Sequence, residues 1–507
     1  GQRPSLAVLA ERGVPGAVLE VIAQCWAAVP ASRPPMAEVA TVLAAALASG
    51  TVERHQQQPM PAVGPVPSAP LVPVPAVLPP PVADPPRSGI AAEVTAALSA
   101  RNKARVVAGL KTLAGLGSDA KLMRCMEEGA GVAVRDVLGG FANDVEVTRA
   151  ACGALQNLAL ATDNKVPLVR DGAHTAVMAA ARAHAGDVEA ARLACGALVN
   201  LATAADNKVP LVRDGAHMAV MAAARAHAGD VKVARAACTA LQNLAYAPDN
   251  RVPLVRDGAH TAVMAAARAH ASDAMTTRAV CSVLRTLPLA ADNWVPLVRD
   301  GAHTAVMAAA RAHAGNVEVA RHACAALWNL SLAADNRVPL VRDGAHTALM
   351  AAARAHAGDV EVARAACYTV RNLAAAADNR VPLVRDSAHT AVMAAARAHS
   401  GDVEVARAAC GTLNNLACAA DNNVPLVRDG AHTAVMGVAR MHAGDVEVVR
   451  AACGALVNLL ASPDCQGRLV RDGAREFVAL VSGLHPGDAT VQDYRRRVES
   501  STACTVQ

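Results

Sequence analysis

The sequence predicts an all-α fold, a right-handed superhelical solenoid built from 43-residue units of three helices each. Three observations carry that expectation. The motif Asp-Asn-x-Val-Pro-Leu-Val-Arg-Asp returns with its Asn at Asn164, Asn207, Asn250, Asn293, Asn336, Asn379 and Asn422, each step being 43 residues. Self-similarity at such a period marks units that bury their apolar faces only on their neighbours. Aromatics make up only 2% of the chain, too few for a large conventional core, whereas Ala, Val and Leu suit close-packed helices. Base composition alone would raise Ala but could not impose the period.

Inside one unit the helix signals follow in order. Asp163 or Asn164 is placed to cap a short first helix, with Pro167 in the first turn, where its missing N–H costs nothing. Gly172 stops that helix. A second helix is expected from about Ala173 to Ala185, with Val177, Ala180, Ala181 and His184 at helical spacing. Gly186 breaks it, Asp187 caps a third helix, and Glu189 favours the positive N-terminus. Ala194, Cys195, Leu198 and Leu201 mark the buried side. A degenerate unit precedes the series from about Lys121, and a half unit follows at Arg468 to Gly473.

Three helices in 43 residues, with a Gly turn after the first and the stretch Ala151-Cys152-Gly153-Ala154-Leu155-Gln156-Asn157-Leu158, resemble the armadillo repeat. HEAT repeats are two-helix units and need no short Pro-containing helix. The resemblance covers most of residues 89–486 and implies a protein-binding role. It implies that Asn157, Asn200, Asn243, Asn329, Asn372, Asn415 and Asn458 line a concave groove and bond the main chain of an extended peptide. A carboxamide offers donor and acceptor, and a rise of about 3.3 Å per extended residue lets successive Asn meet every third residue or so. The plainer alternative is that these Asn tie neighbouring loops. The ladder breaks at Thr286. Armadillo proteins of nuclear import place Trp four residues before this Asn, where this chain has Gly153, Gly196, Thr239, Ser282, Ala325, Tyr368, Gly411 and Gly454, so recognition of basic nuclear-localisation peptides is not expected.

Differences between near-identical copies show where recognition could be encoded. The bulky variants Arg285, His322, Trp328, Tyr368 and Arg371 fall in the middle units, and Arg, Trp and Tyr are enriched at binding hot spots; drift among duplicated units is the alternative. A second ladder, Arg149, Arg192, Arg235, Arg278, Arg321, Arg364, Arg407 and Arg450, is expected to pair with carboxylates of the Glu189 and Asp187 type within its own unit, with a cationic groove as the alternative. Two His ladders, typified by His174 and His184, are expected to be a polar face of the second helix. Equivalent His in adjacent units stand a helix-packing distance of about 8–10 Å apart, too far to share a zinc ion. The same spacing forbids disulfides along Cys152, Cys195, Cys238, Cys281, Cys324, Cys367, Cys410 and Cys453, which read as small buried residues of a reducing compartment.

The two ends differ from the repeats. Residues 59–86 hold twelve Pro in 28 positions, a polyproline-type spacer within a linker at 49–88; Pro67-Ser68-Ala69-Pro70 and Pro70-Leu71-Val72-Pro73 fit PxxP. Residues 1–48 carry Cys25-Trp26-Ala27-Ala28-Val29-Pro30-Ala31-Ser32-Arg33-Pro34, which resembles the last helices of the kinase C-lobe in the tyrosine-kinase-like group, Val29 replacing the usual Asp. No Gly-rich phosphate loop, Val-Ala-x-Lys, His-Arg-Asp or Asp-Phe-Gly accompanies it, and Val-Arg-Asp-Gly, as at Val169–Gly172, only mimics such a signature. The chain opens on Gly1, as expected of a piece of a longer product. Residues 487–507 read as a tail. The net charge of +5, spread as mixed-sign pairs, gives no sign of nucleic-acid binding, and no apolar run reaches the roughly 18 residues of a membrane span. The expectation is therefore a non-catalytic scaffold, cytoplasmic or alternatively nuclear, that holds other proteins or extended peptides. No catalytic residue, metal, cofactor or small-molecule substrate is expected. The alternative makes it the docking or regulatory arm of a larger tyrosine-kinase-like Ser/Thr kinase.

Overall fold

The computed structural model describes residues 89–503; the kinase-like segment 1–48 and the linker 49–88 lie outside the described residues. Among the described residues every regular element is a helix. Ile90–Ser99 and Lys103–Ala114 form a second and a third helix that open the stack, and the degenerate unit follows as Asp119–Glu127, Ala130–Gly140 and Val145–Leu158.

The next unit shows the local logic that all copies share. A 3-10 turn, Thr162–Asn164, leads into the first helix, Lys165–Arg170, with Pro167 near its start. Gly172 takes φ +80°, the left-handed conformation that costs glycine nothing and lets the chain reverse. The second helix, Ala173–Ala183, ends two residues earlier than the sequence suggests, because His184 has already left helical geometry at φ −114°. Asp187 then caps the third helix, Val188–Leu201, accepting from the Ala190 N–H at 2.7 Å. The expected cap at the first helix is not made. Asn164 turns inward, buried, and donates instead to the carbonyl of Leu158 at 2.9 Å.

The core is a continuous seam of Leu, Val, Ala and Cys. Leu158, Leu168, Leu201 and Leu211 are fully buried, and so are Cys152 and Cys195 to within 2%. The eight ladder cysteines are free thiols in that seam, and burial pushes each thiol up to about 12. Third helices of successive units lie side by side along the stack.

The stack does not stop at residue 486. Ala489–Ala503 is a helix whose Val491 and Val498 are buried and whose start is capped by Asp488, which accepts from the Val491 N–H at 2.9 Å. It occupies the place of a third helix, so residues 488–503 of the stretch read as a tail continue the repeat; the sequence signal is weak there because Asp488 stands in a Pro-Gly-Asp context instead of the usual Ala-Gly-Asp.

Candidate functional site

Each polar ladder is first a tie between units. The Arg of one third helix reaches the Asp that caps the next, 38 residues on: Arg149 with Asp187, Arg192 with Asp230, Arg235 with Asp273, Arg321 with Asp359, Arg364 with Asp402, Arg407 with Asp445 and Arg450 with Asp488. The expected pairing within a unit holds only for the Glu partners, as in Arg192 with Glu189 and Arg407 with Glu404. The Arg149 and Arg192 guanidiniums hold the Asp187 and Asp230 carboxyls down at about 2.

The His174 ladder is not a polar face. His174 is 3% exposed, and its Nε2–H donates to Asp214 of the next unit at 3.0 Å. The contact repeats from His217 to Asp257 and onward to His432 with Asp472. In the second ladder His184 reaches back to the Ala142 carbonyl. The motif Asn does the same work in the core: Asn207 donates to Lys165 O of the previous unit at 2.8 Å and to Leu201 O of its own at 3.0 Å.

The mixed-sign pairing of the surface holds along the first and third helices and lapses on the second. Arg182, Arg225, Arg268, Arg311, Arg354 and Arg397 stand exposed on the second helices and form no ion pair among the described residues, unlike the neighbouring Arg170, which pairs with Asp171.

The third-helix Asn ladder lies half-buried along one face. Its amide N–H groups are engaged with the preceding unit: Asn157 with Leu113 O and Leu116 O, Asn200 with Gln156 O, Asn243 with Val199 O, Asn329 with Arg285 O, and Asn415 with Arg371 O, at 2.8–3.3 Å. Asn372 donates to Ser331 Oγ at 3.0 Å, and Asn458 to Asn414 Oδ1 at 3.1 Å. The tie thus exists, and it uses only the donor end. Among the described residues no hydrogen bond is donated to the carboxamide oxygens of these seven Asn. At the break, Thr286 bonds within its own helix to Ser282 O.

A second regularity joins the variable positions. In four places the residue before a ladder Asn lies against the residue 40 positions on, in the next unit. Trp328 stacks on Tyr368, ring centroids 5.1 Å apart and planes at 15°. Three of these pairs set a long first residue against Gly: a Cβ at Gly196 would come 2.7 Å from Gln156, at Gly411 2.7 Å from Arg371, and at Gly454 2.8 Å from Asn414. Those glycines are there for space and not for backbone freedom. Arg371 in turn lies over the Tyr368 ring at 6.0 Å, and the Tyr368 hydroxyl donates to Glu404 at 2.5 Å; burial and that carboxylate push its pKa up to about 12. Of the proposed residues, Trp328, Tyr368 and Arg371 therefore form one cluster, while Arg285 sits one unit earlier beside His322. Further along the same face an open cleft of about 430 Å³ is lined by Arg371, Arg407, Gly411, Asn414, Arg450 and Tyr494.

No three His, Cys, Asp or Glu side chains converge as a metal site would require, among the described residues. No single described helix is long and apolar enough to cross a membrane.

The sequence model of a family described as "LRRK2 ARM repeat" matches residues 333–466. No curated protein matches the chain. A solved chain from work on a conserved phosphorylation switch that controls the interaction between cadherin and beta-catenin superposes with a TM-score of 0.63, at 17% identity, over 82% of this chain and 86% of that one. Likeness at that identity speaks to architecture, and with the three-helix, 43-residue unit it establishes the fold: an armadillo-type all-α solenoid.

Proposed function

We propose that the chain is a non-catalytic protein-binding scaffold that seats an extended segment of a partner along the groove of its third helices. The observation that carries this reading is the row of Asn carboxamides whose N–H ends are tied down while their oxygens take no hydrogen bond among the described residues. A carboxamide held rigidly at one end presents its acceptor at a fixed place, so an incoming backbone N–H pays little ordering entropy. Trp328 and Tyr368, pre-stacked, would anchor an apolar side chain of the segment. The solved relative comes from work on an interaction between cadherin and beta-catenin, which is in keeping with a protein partner. The kinase-like stretch Cys25 to Pro34 favours a second reading, in which the same groove docks substrates or regulators for a larger kinase.

The test places a photo-crosslinking residue at Gln156 or Asn414 in the groove, and at exposed Thr175 on a second helix, in the full chain. A partner captured from both groove positions, and not from Thr175, should bind Trp328→Ala/Tyr368→Ala at least about 30-fold more weakly, as two central aromatic anchors imply. Capture from Thr175 alone, or unchanged affinity in a fully helical double variant, refutes the groove.

A further inference from the structure

We infer that the groove carries an acid-binding notch at Arg278, Arg285 and His322, and that the segment it seats is acidic, with a Glu- or Asp-rich stretch lying over the third helix that begins at Ala274. The inference rests on the reading of that face as a peptide groove and names the chemistry of its occupant.

The ladder of Arg–Asp ties supplies the standard against which the notch stands out. Seven of the eight Arg reach a capping Asp 38 residues on. For Arg278 that position is Asn316, whose Oδ1 is spent on the backbone N–H groups of Glu318 and Val319 at 3.0 and 3.2 Å. The i−3 carboxylate that serves Arg192, Arg321, Arg407 and Arg450 is missing too, because Met275, 49% exposed, stands there. One unit earlier the same position is Lys232. Arg278 consequently forms no ion pair among the described residues, and neither does Arg285, two turns further along the same helix. The cleft that Arg407 and Arg450 line further on confirms that this Arg row opens onto the groove.

His322 stands where six other copies have Ala and one has Leu193; it is neutral at pH 7, so it adds no charge of its own but registers the imbalance around it. Burial and then the Arg285 charge push it down to about 4, with Arg278 and Arg321 acting in the same sense and Glu318 opposing. Glu318 is already paired with Arg321 at 2.9 Å. Two guanidiniums thus stand half-buried in a groove without a counter-charge, Arg285 on the helix next to the one that carries Trp328. Elsewhere in the ladder the partner of this Arg is a carboxylate gripped by two nitrogens, as Arg321 Nε and Nη2 grip Asp359 at 2.9 and 2.6 Å. The acceptor missing at Arg278 is of that kind, so the complement is a carboxylate of an extended chain.

The probes are two fluorescent peptides of about twelve residues, long enough at about 3.3 Å each to cross several units, identical except for Glu or Gln at alternate positions. Anisotropy titrations use the full chain, the charge-restored variant Met275→Glu/Asn316→Asp, and Trp328→Ala/Tyr368→Ala. The restored variant returns the repeat's own residues, so its fold is not at risk. The expected result is that the wild type binds the Glu peptide at least about tenfold more tightly than the Gln peptide, that added salt erodes the preference, and that the restored variant abolishes it. Equal binding of the two peptides, or a preference that survives in the restored variant, overturns the notch. If both peptides bind equally and both are lost on removing the aromatic pair, the groove stands and only the notch falls; if neither binds, both fall. A single-stranded DNA of similar length that matches the Glu peptide in affinity and in its loss on charge restoration overturns the assignment to an acidic protein segment.

Discussion

Two third helices, Ala274–Thr286 and Val403–Ala417, occupy equivalent places in the stack. Both are capped by an Asp, and both bury Cys and Leu on the same side. Their outer faces differ. In the later helix Arg407 is held by Glu404 and Asp445, and Asn415 ties back to Arg371 O. In the earlier helix Arg278 has lost both acids and Thr286 has replaced Asn. The earlier helix ends two residues sooner, in a 3-10 turn at Leu287–Leu289, yet its cap and buried side are kept, because the buried seam and the buried motif Asn hold each unit in place. Solenoid architecture therefore separates what holds the stack from what faces the partner, and the second can vary without disturbing the first.

The comparison breaks first if the buried ties are not what hold the stack. Asn336 is 2% exposed and donates to Trp294 O and Leu330 O. Asn336→Ala leaves both carbonyls buried without their donor, so unfolding by denaturant should show a loss of about 2–3 kcal/mol. Asn329→Ala, on the half-buried face, should lose only about 1 kcal/mol. Equal losses would erase the distinction between core and face. An Asn329 variant is thus not neutral for folding.

A smaller effect sharpens the contrast within the Arg ladder. Arg321→Ala removes the partner of Asp359 and should lower the melting temperature at pH 7, whereas Arg278→Ala, which breaks no ion pair, should leave it unchanged. Arg321 holds the Asp359 carboxyl below the usual carboxylate range. A carboxyl depressed on folding contributes stability above its unfolded pKa, near 3.9, and loses it as pH falls through the folded value. The gap between the two variants should therefore close below about pH 4. A gap that persists in strong acid would mean Arg321 acts through packing instead of charge.

The unit, its period, its three helices and its Cys seam were legible in the sequence because periodicity and turn residues are local signals. The partners of the polar ladders were not. A period of 43 places His174 and Asp214 in every copy, but nothing in it says that the two meet across a unit boundary, and intra-unit pairs at helical spacing look equally good on paper. The spacing of 38 from Arg to Asp was visible, as was its failure at Asn316, once the third helices are known to lie side by side. The cluster of Trp328, Tyr368 and Arg371 was legible as variation and not as contact: the 40-residue relation that stacks Trp328 on Tyr368 follows from the offset between adjacent third helices. Glycines such as Gly411 looked like the absence of a groove residue, yet they hold the room into which Arg371 lies.

The smallest expected effect tests the same separation on the backbone. The turn between first and second helices is left-handed in every copy, with Gly at 172, 215, 258, 301, 344 and 430, and with Ser387 at φ +61° in the one exception. A Cβ in that region costs about 1–2 kcal/mol, part of which Ser recovers because its side chain restricts the unfolded chain by roughly 0.4–1 kcal/mol relative to Gly. Ser387→Gly should therefore raise stability by about 0.5–1 kcal/mol, read as a higher denaturant midpoint at unchanged slope. Around Gly430, the equivalent residue of the following unit, the nearest neighbour of an added Cβ is the Thr433 hydroxyl at 3.3 Å, so Gly430→Ser imposes both the strain and a close contact and should lose about 1–2 kcal/mol. The two substitutions move residues far from the third-helix face, and neither should alter peptide affinity. If Ser387→Gly weakens binding, the turn and the groove are coupled, and the independence of frame and face inferred from Ala274–Thr286 and Val403–Ala417 does not hold.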